Sequence, residues 1–194
     1  MRRKIHREDI INAGLEIMFL HGYNSTGIKE ITDAVDIPKG SFYNHFKNKE
    51  EFGVEVLQHY CSNAIFFYKE YLVESNLSPL ARIKAFYEYM INYFKVEKKC
   101  TEGCLMGNFS QELADVNERF RALLDDAFAD CEQIISSCIK DAQKLGEINT
   151  SLEAEKLGHF ILNSWHGALI RMKSSASIAP LEEFKTTVFT LLLV

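Results

Sequence analysis

The sequence predicts an all-α chain in which a small N-terminal helix-turn-helix domain precedes a larger helical body. Three observations carry that prediction. Apolar residues recur at helical spacing along nearly the whole chain, with no alternating strand pattern. Only three prolines and ten glycines punctuate 194 residues. Between residues 28 and 46 two short helical segments are joined by a tight turn behind a longer helix. A composition of 47% hydrophobic and 25% charged residues supplies a sizeable core and excludes disordered and collagen-like chains. No internal repeat or low-complexity segment is present.

Ile10, Ala13, Ile17 and Leu20 recur at helical intervals, and His21-Gly22 ends that first helix. A short helix is expected over Ile28 to Val35. Pro38 suits the first position of another, running to Phe46. Asn48 reads as an N-cap with Glu51 three residues on, opening a long helix towards Val73. Ser78-Pro79 repeats the start signal, and Ile83, Phe86, Tyr87, Met90, Ile91 and Phe94 form one apolar stripe. After a polar break, a short helix is expected over Cys104 to Ala114 and a long one from Glu118 to Leu145, stopped by Gly146. Thr150 or Ser151 is expected to cap the next, which reaches about Lys173, and Pro180 starts the last. The count is about nine helices.

Charge is unevenly distributed. The net charge is -5, which argues against a surface built for bulk polyanion binding. Residues 1–49 nevertheless hold eight Lys/Arg against six Asp/Glu, a net of +2, while the remainder holds fourteen against twenty-one, a net of -7. One end of the chain can face a polyanion that the rest repels. Five cysteines form an odd set without secreted-scaffold density. Arg2-Arg3-Lys4 is followed by Glu8, Asp9 and Asn12 rather than by a signal-peptide apolar run. The apolar Leu191–Val194 is too short to span a bilayer. A reduced, cytoplasmic protein without a membrane partner is expected. The uncapped apolar end predicts either a last helix that packs into something or a continuing tail.

In the helix-turn-helix segment, Ile31, Ala34, Val35, Phe42 and Phe46 supply the apolar contacts, leaving Lys39, Ser41, Tyr43, Asn44 and His45 exposed. These polar groups can reach base edges or phosphates, and Gly40 lets the backbone approach. The helix N-terminus offers N–H groups to a phosphate. Lys49 and the Arg2-Arg3-Lys4 arm add backbone contacts. The competing structural reading is a generic helical bundle with a solvated polar face.

Gly22-Tyr23-Asn24-Ser25-Thr26, Ile31, the string Pro38 to Phe46 and Lys49-Glu50 resemble the DNA-binding domain of the TetR/AcrR family over roughly residues 7–55. The resemblance implies a homodimer whose recognition helices enter successive major grooves of a palindromic operator. It also implies that Gly40, Ser41, Tyr43, Asn44 and His45 contact DNA and that Lys49 contacts phosphate. The family often has Thr where this chain has Gly27 and Ile28, so Thr26 takes the place of a hydroxyl contact. Residues 1–50 would be the DNA-binding domain and 51–194 the ligand-binding and dimerisation domain. The resemblance places the dimer interface on the last two long helices. Gly158, Gly167 and Ala168 would permit close approach there, with Phe160, Ile161, Phe184, Val188 and Leu191 as apolar faces.

Aromatic residues crowd the candidate pocket helices: Phe66, Phe67, Tyr87, Phe94, Phe109, Phe128 and Trp165. They read either as core or as a ligand box. Cys104 sits at the expected first turn of a helix with Lys98 and Lys99 close in sequence, an environment that favours thiolate. It also reads as a small buried side chain at a helix junction. The Gly103-Cys104-Leu105 segment followed by Gln111-Glu112-Leu113 resembles a TetR subgroup with repressors of the NemR type. That resemblance implies electrophile or oxidant sensing through Cys104 with Lys173 as the lysine partner. The same stretch occurs in relatives not known as redox sensors.

Cys100 and Cys104 are not expected to form a disulfide or metal site. Cys131 and Cys138 read as core, and Glu155, His159 and His166 as a surface or interface face. No nucleophilic triad, phosphate loop or paired carboxylates stand out, so neither an enzyme nor a resident cofactor or metal is expected. The expected function is a repressor released from its operator by a small-molecule or electrophile/oxidant inducer. The alternative is a helical binding or sequestering protein without specific DNA recognition.

Overall fold

The computed structural model describes residues 5–148 and 152–193. Among them every regular element is helical: α1 (Arg7–Ser25), α2 (Ile28–Ala34), α3 (Lys39–Phe42), α4 (Lys49–Leu72), α5 (Pro79–Val96), α6 (Leu105–Leu113), α7 (Glu118–Lys144), α8 (Ala154–Ser175) and α9 (Ala179–Thr187). A π-helical turn, Val188–Leu192, continues α9. No described helix is long and apolar enough to cross a membrane. The Arg2-Arg3-Lys4 arm, the expected caps Thr150 and Ser151, and Val194 lie outside the described residues.

The chain forms two compact units, residues 1–63 with 105–125, and residues 64–104 with 126–194. In the first, α1 buries Ile10, Gly14 and Met18 at four-residue spacing. Leu20 is instead largely exposed. The stripe expected from Ile10, Ala13, Ile17 and Leu20 is thus displaced, because a glycine supplies the close contact. A Cβ on Gly14 would stand 2.3 Å from Cζ of Phe52. Phe42, Phe46 and Phe52 pack as a triad with centroid separations of 4.8 to 5.2 Å. Arg7 pairs with Glu55 of α4 and lies over the Phe46 ring at 4.6 Å, fastening α1 to α4.

Start signals were the most legible local features. The Asn48 side chain accepts from Glu51 N–H at 2.8 Å, and the Glu51 carboxylate accepts from Lys47 N–H at 3.2 Å. Pro38 is the N-cap of α3 rather than its first residue. α3 ends at Phe42, not Phe46; residues 43–45 form a turn. α8 is capped at Glu153, three residues after the expected Thr150.

The second unit buries one continuous apolar core from α4, α5, α7, α8 and α9, in which Ile83, Phe86, Ile135, Ile139, Ile161 and Met172 are fully inaccessible. The Glu147 carboxylate closes the start of α5 by accepting Leu80 N–H at 2.8 Å.

Candidate nucleic-acid interface and thiol site

The recognition segment is built from the turn upward. Asp36 takes a left-handed conformation, φ 51°, and Ile37 N–H reaches back to Thr32 carbonyl at 3.0 Å. This is a Schellman closure of α2 without glycine. It fixes the angle at which the chain enters α3. Phe42 and Phe46 point into the aromatic triad, so the intervening side chains face outward. Lys39, Gly40, Tyr43 and Asn44 are exposed, and Ser41 and His45 half-buried. Ser41, Asn44 and His45 line one shallow groove with Ile5 and Pro38. A Cβ at Gly40 would meet no atom within 4 Å, so folding leaves that surface open for close approach.

Two residues expected to contact DNA are engaged within the protein. Thr26 is buried, and its hydroxyl donates to Gly22 carbonyl at 2.6 Å. Lys49 donates from Nζ to Asn24 carbonyl at 3.1 Å and stands 4.5 Å from the Tyr23 ring centre. Burial lowers the Lys49 pKa, while the Glu112 carboxylate acts in the opposite direction.

Sequence reasoning missed Glu112 as a structural element of this unit. At the α1 kink Gly22 has φ 77°. There the Glu112 carboxylate accepts Tyr23 N–H at 3.2 Å and Asn24 N–H at 2.9 Å. A side chain on Gly22 would collide with this carboxylate at 2.3 Å. The Gly-Tyr pair signalled a helix end, but nothing local signalled a partner 89 residues away.

In the second unit, Cys104 immediately precedes α6 rather than lying in its first turn. The approaching segment carries positive φ at Lys99, Cys100, Glu102 and Gly103, a run that is costly for side-chain-bearing residues. It is tied down by Cys100 N–H to Phe94 carbonyl at 2.8 Å and a Lys98–Glu102 ion pair at 2.6 Å. Lys173 lays its stem on Gly103, whose added Cβ would stand 2.9 Å from the lysine Cδ. Cys104 is half-buried and hydrogen-bonded to His166. The sequence had grouped His166 with Glu155 and His159. Its ring instead meets the Phe128 ring edge-on at 5.0 Å, whereas His159 pairs with Glu132 at 3.5 Å. All five cysteines are free thiols. Burial pushes the Cys138 thiol up to about 11, which makes it a poor nucleophile.

Tyr87, Phe94 and Trp165 do come together, joined by Phe184, with Tyr87 5.2 Å from Trp165 and 5.0 Å from Phe184. Phe109 does not join them; it packs with Tyr23 and Phe120 in the first unit. Phe66 is exposed. The Tyr87 hydroxyl is fully buried with no hydrogen-bond partner. Of the residues expected at a dimer interface, Ile161, Phe184 and Val188 are buried within the protomer, and Gly158 packs on Ser136 of α7. Phe160 and Leu191 are exposed, and Gly167 has open space beside it.

A two-helix reader on an aromatic platform, with a separate helical body, defines a helix-turn-helix DNA-binding regulator. Residues 10–56 match the bacterial regulatory proteins of the tetR family, and residues 79–188 match the tetracyclin repressor-like C-terminal domain. The chain belongs to the TetR family. It is 35% identical to the HTH-type transcriptional repressor DhaR of Mycobacterium sp. (strain GP1), over all of this chain and 95% of the relative. It is 27% identical to the HTH-type transcriptional repressor NemR of Escherichia coli K12, over 91% of this chain and 88% of the relative. A crystal structure of a regulatory protein TetR from Rhodobacter sphaeroides superimposes with a TM-score of 0.88 at 30% identity, covering 95% of this chain and 97% of that one.

Proposed function

We propose that this chain is a dimeric transcriptional repressor that binds a palindromic operator through residues 39–45 and is released when its C-terminal body senses an inducer. The observation that carries the reading is the outward array of Lys39, Gly40, Tyr43 and Asn44 above the Phe42–Phe46–Phe52 platform, in a chain whose relatives are named repressors. Ser41 and His45 complete the contact set from the groove edge. Thr26 and Lys49 act by fixing the α1–α2 junction, Lys49 also remaining near enough to the surface to compete for a phosphate. The functional division falls at residues 50 and 51. Dimerisation uses the outer faces of α8 and α9 around Phe160, Gly167 and Leu191. The protein works in the cytoplasm without a cofactor or enzymatic activity.

The inducer is an electrophile or oxidant that modifies Cys104, with Lys173 beside it. One peptide bond joins Cys104 to α6, and α6 carries Glu112, which holds the α1 kink. A shift of α6 therefore reaches the recognition segment through two hydrogen bonds. The second reading, a non-covalent small molecule in the Tyr87–Phe94–Trp165 region, draws on the unpartnered Tyr87 hydroxyl, which a ligand acceptor would satisfy. Footprinting on the region upstream of its own gene tests the DNA reading. Two protected half-sites are expected, and a protein that protects nothing specific is the sequestering alternative. Electrophile treatment of wild type and Cys104→Ser separates the triggers: equal release by both removes Cys104 as the sensor.

A further inference from the structure

The His166 imidazole is fixed in a single useful orientation. Its Nδ1 lies 2.9 Å from the Leu162 carbonyl, and a carbonyl oxygen only accepts, so Nδ1 carries the proton. Nε2 is the nitrogen left to meet the Cys104 thiol, to which the ring is hydrogen-bonded. Phe128 closes on the ring edge-on at 5.0 Å and limits its rotation. This is the base-and-orienter arrangement that activates a nucleophile: the thiol faces the basic nitrogen and a third group fixes the tautomer.

We propose that His166 is the residue that activates Cys104, accepting the thiol proton on Nε2 and returning it when an α,β-unsaturated carbonyl compound adds to the sulfur. The proposal rests on Cys104 being the reactive cysteine and goes further by assigning its proton acceptor and a class of reactant. In the addition, the Cys104 S–H bond breaks and Nε2 takes the proton. The thiolate forms a C–S bond to the β-carbon of the acceptor, and the C=C electron pair moves towards the carbonyl as an enolate. The imidazolium then protonates the α-carbon. No oxidant or reductant is consumed, and no net proton is released. Burial alone lowers the His166 pKa; the hydrogen bond and charge interaction with Cys104 and the Leu162 carbonyl outweigh it and raise the value overall. Charged groups on the neighbouring elements are Lys173 of α8, whose stem lies on Gly103, and the Lys98–Glu102 pair in the segment leading to Cys104.

The test follows alkylation of Cys104 in the full chain without DNA, using methyl vinyl ketone and peptide mass spectrometry across pH 5 to 10. His166→Asn keeps a side-chain amide donor for Leu162 while removing the base; His166→Ala removes both. His166→Asn is expected to slow alkylation about tenfold at neutral pH and to move the rate inflection up towards that of an ordinary thiol. A wild-type rate and inflection in His166→Asn overturn the proposal, as does an inflection that moves with Lys173→Ala and not with His166→Asn. Circular dichroism of each variant reports its fold. DNA release is measured separately on alkylated wild type. Slow alkylation in His166→Asn together with no release from alkylated wild type supports the thiol pair while refuting Cys104 as the inducer sensor.

Discussion

Replacing Glu112 with Ala removes the acceptor of two backbone N–H groups at the α1 kink. Tyr23 N–H is part-buried and 3.2 Å from the carboxylate; Asn24 N–H is exposed and 2.9 Å away. Hydrogen bonds to charged groups contribute about 1.5–3 kcal/mol each, and the exposed one regains water. Losing both therefore costs about 2 kcal/mol, most of it at Tyr23. In a chain of this length that lowers Tm by about 4–8 °C. Glu112→Gln keeps one carbonyl acceptor and presents an NH2 group to the second donor, so its cost is about half. Because the chain holds two compact units, one global transition is a blunt probe. Amide hydrogen exchange at Tyr23 and Asn24 is local: both should exchange faster in Glu112→Ala, while amides of α8 keep their rates. A variant within about 0.5 kcal/mol of wild type and with unchanged exchange at both amides would refute the role of Glu112 at the kink.

Other perturbations bear on the same account. Gly14→Ala should destabilise by about 1–2 kcal/mol in urea unfolding, because its Cβ would lie 2.3 Å from Phe52 and overpacking outweighs the gain in helix propensity. Gly40→Ala, with open space at its Cβ, should leave the unfolding midpoint near wild type yet weaken operator binding. The Ser78 hydroxyl and the Leu80 N–H hold the Glu147 carboxyl below its ordinary range. Its contribution is therefore complete above the unfolded-state pKa and fades as pH falls through the lowered folded value. Glu147→Gln should accordingly show a shallower acid limb in thermal melts, with the two proteins converging at the acid end.

Much of the helical fold was written locally. Asn48 with Glu51, Ser78-Pro79 and Gly146 mark helix ends by groups that act within a few residues, and the structure uses all three positions near where they were read. The recognition segment was legible for the same reason: Phe42 and Phe46 four apart force Tyr43, Asn44 and His45 away from the core. What escaped was long-range. Asp36 adopts a left-handed turn that glycine would have advertised. Glu112 and Tyr23 are far apart in sequence, and His166 reaches Cys104 from a different helix. Hydrophobic periodicity assigned His166 to a polar face with His159, yet three-dimensional packing turned one histidine to Glu132 and the other to a thiol. Phe109 shows the same limit: its spacing fits a pocket helix, and only tertiary structure assigns it to the first unit.

The central claim, that residues 39–45 read DNA, is tested most directly by fluorescence-anisotropy titration of the upstream DNA with wild type and Tyr43→Ala. Tyr43 is about half exposed, at 49%, so the variant should keep its fold and melting temperature. The account predicts a loss of specific affinity of at least about tenfold, with weak non-sequence-specific binding largely retained. Unchanged specific affinity in a folded Tyr43→Ala protein would contradict it.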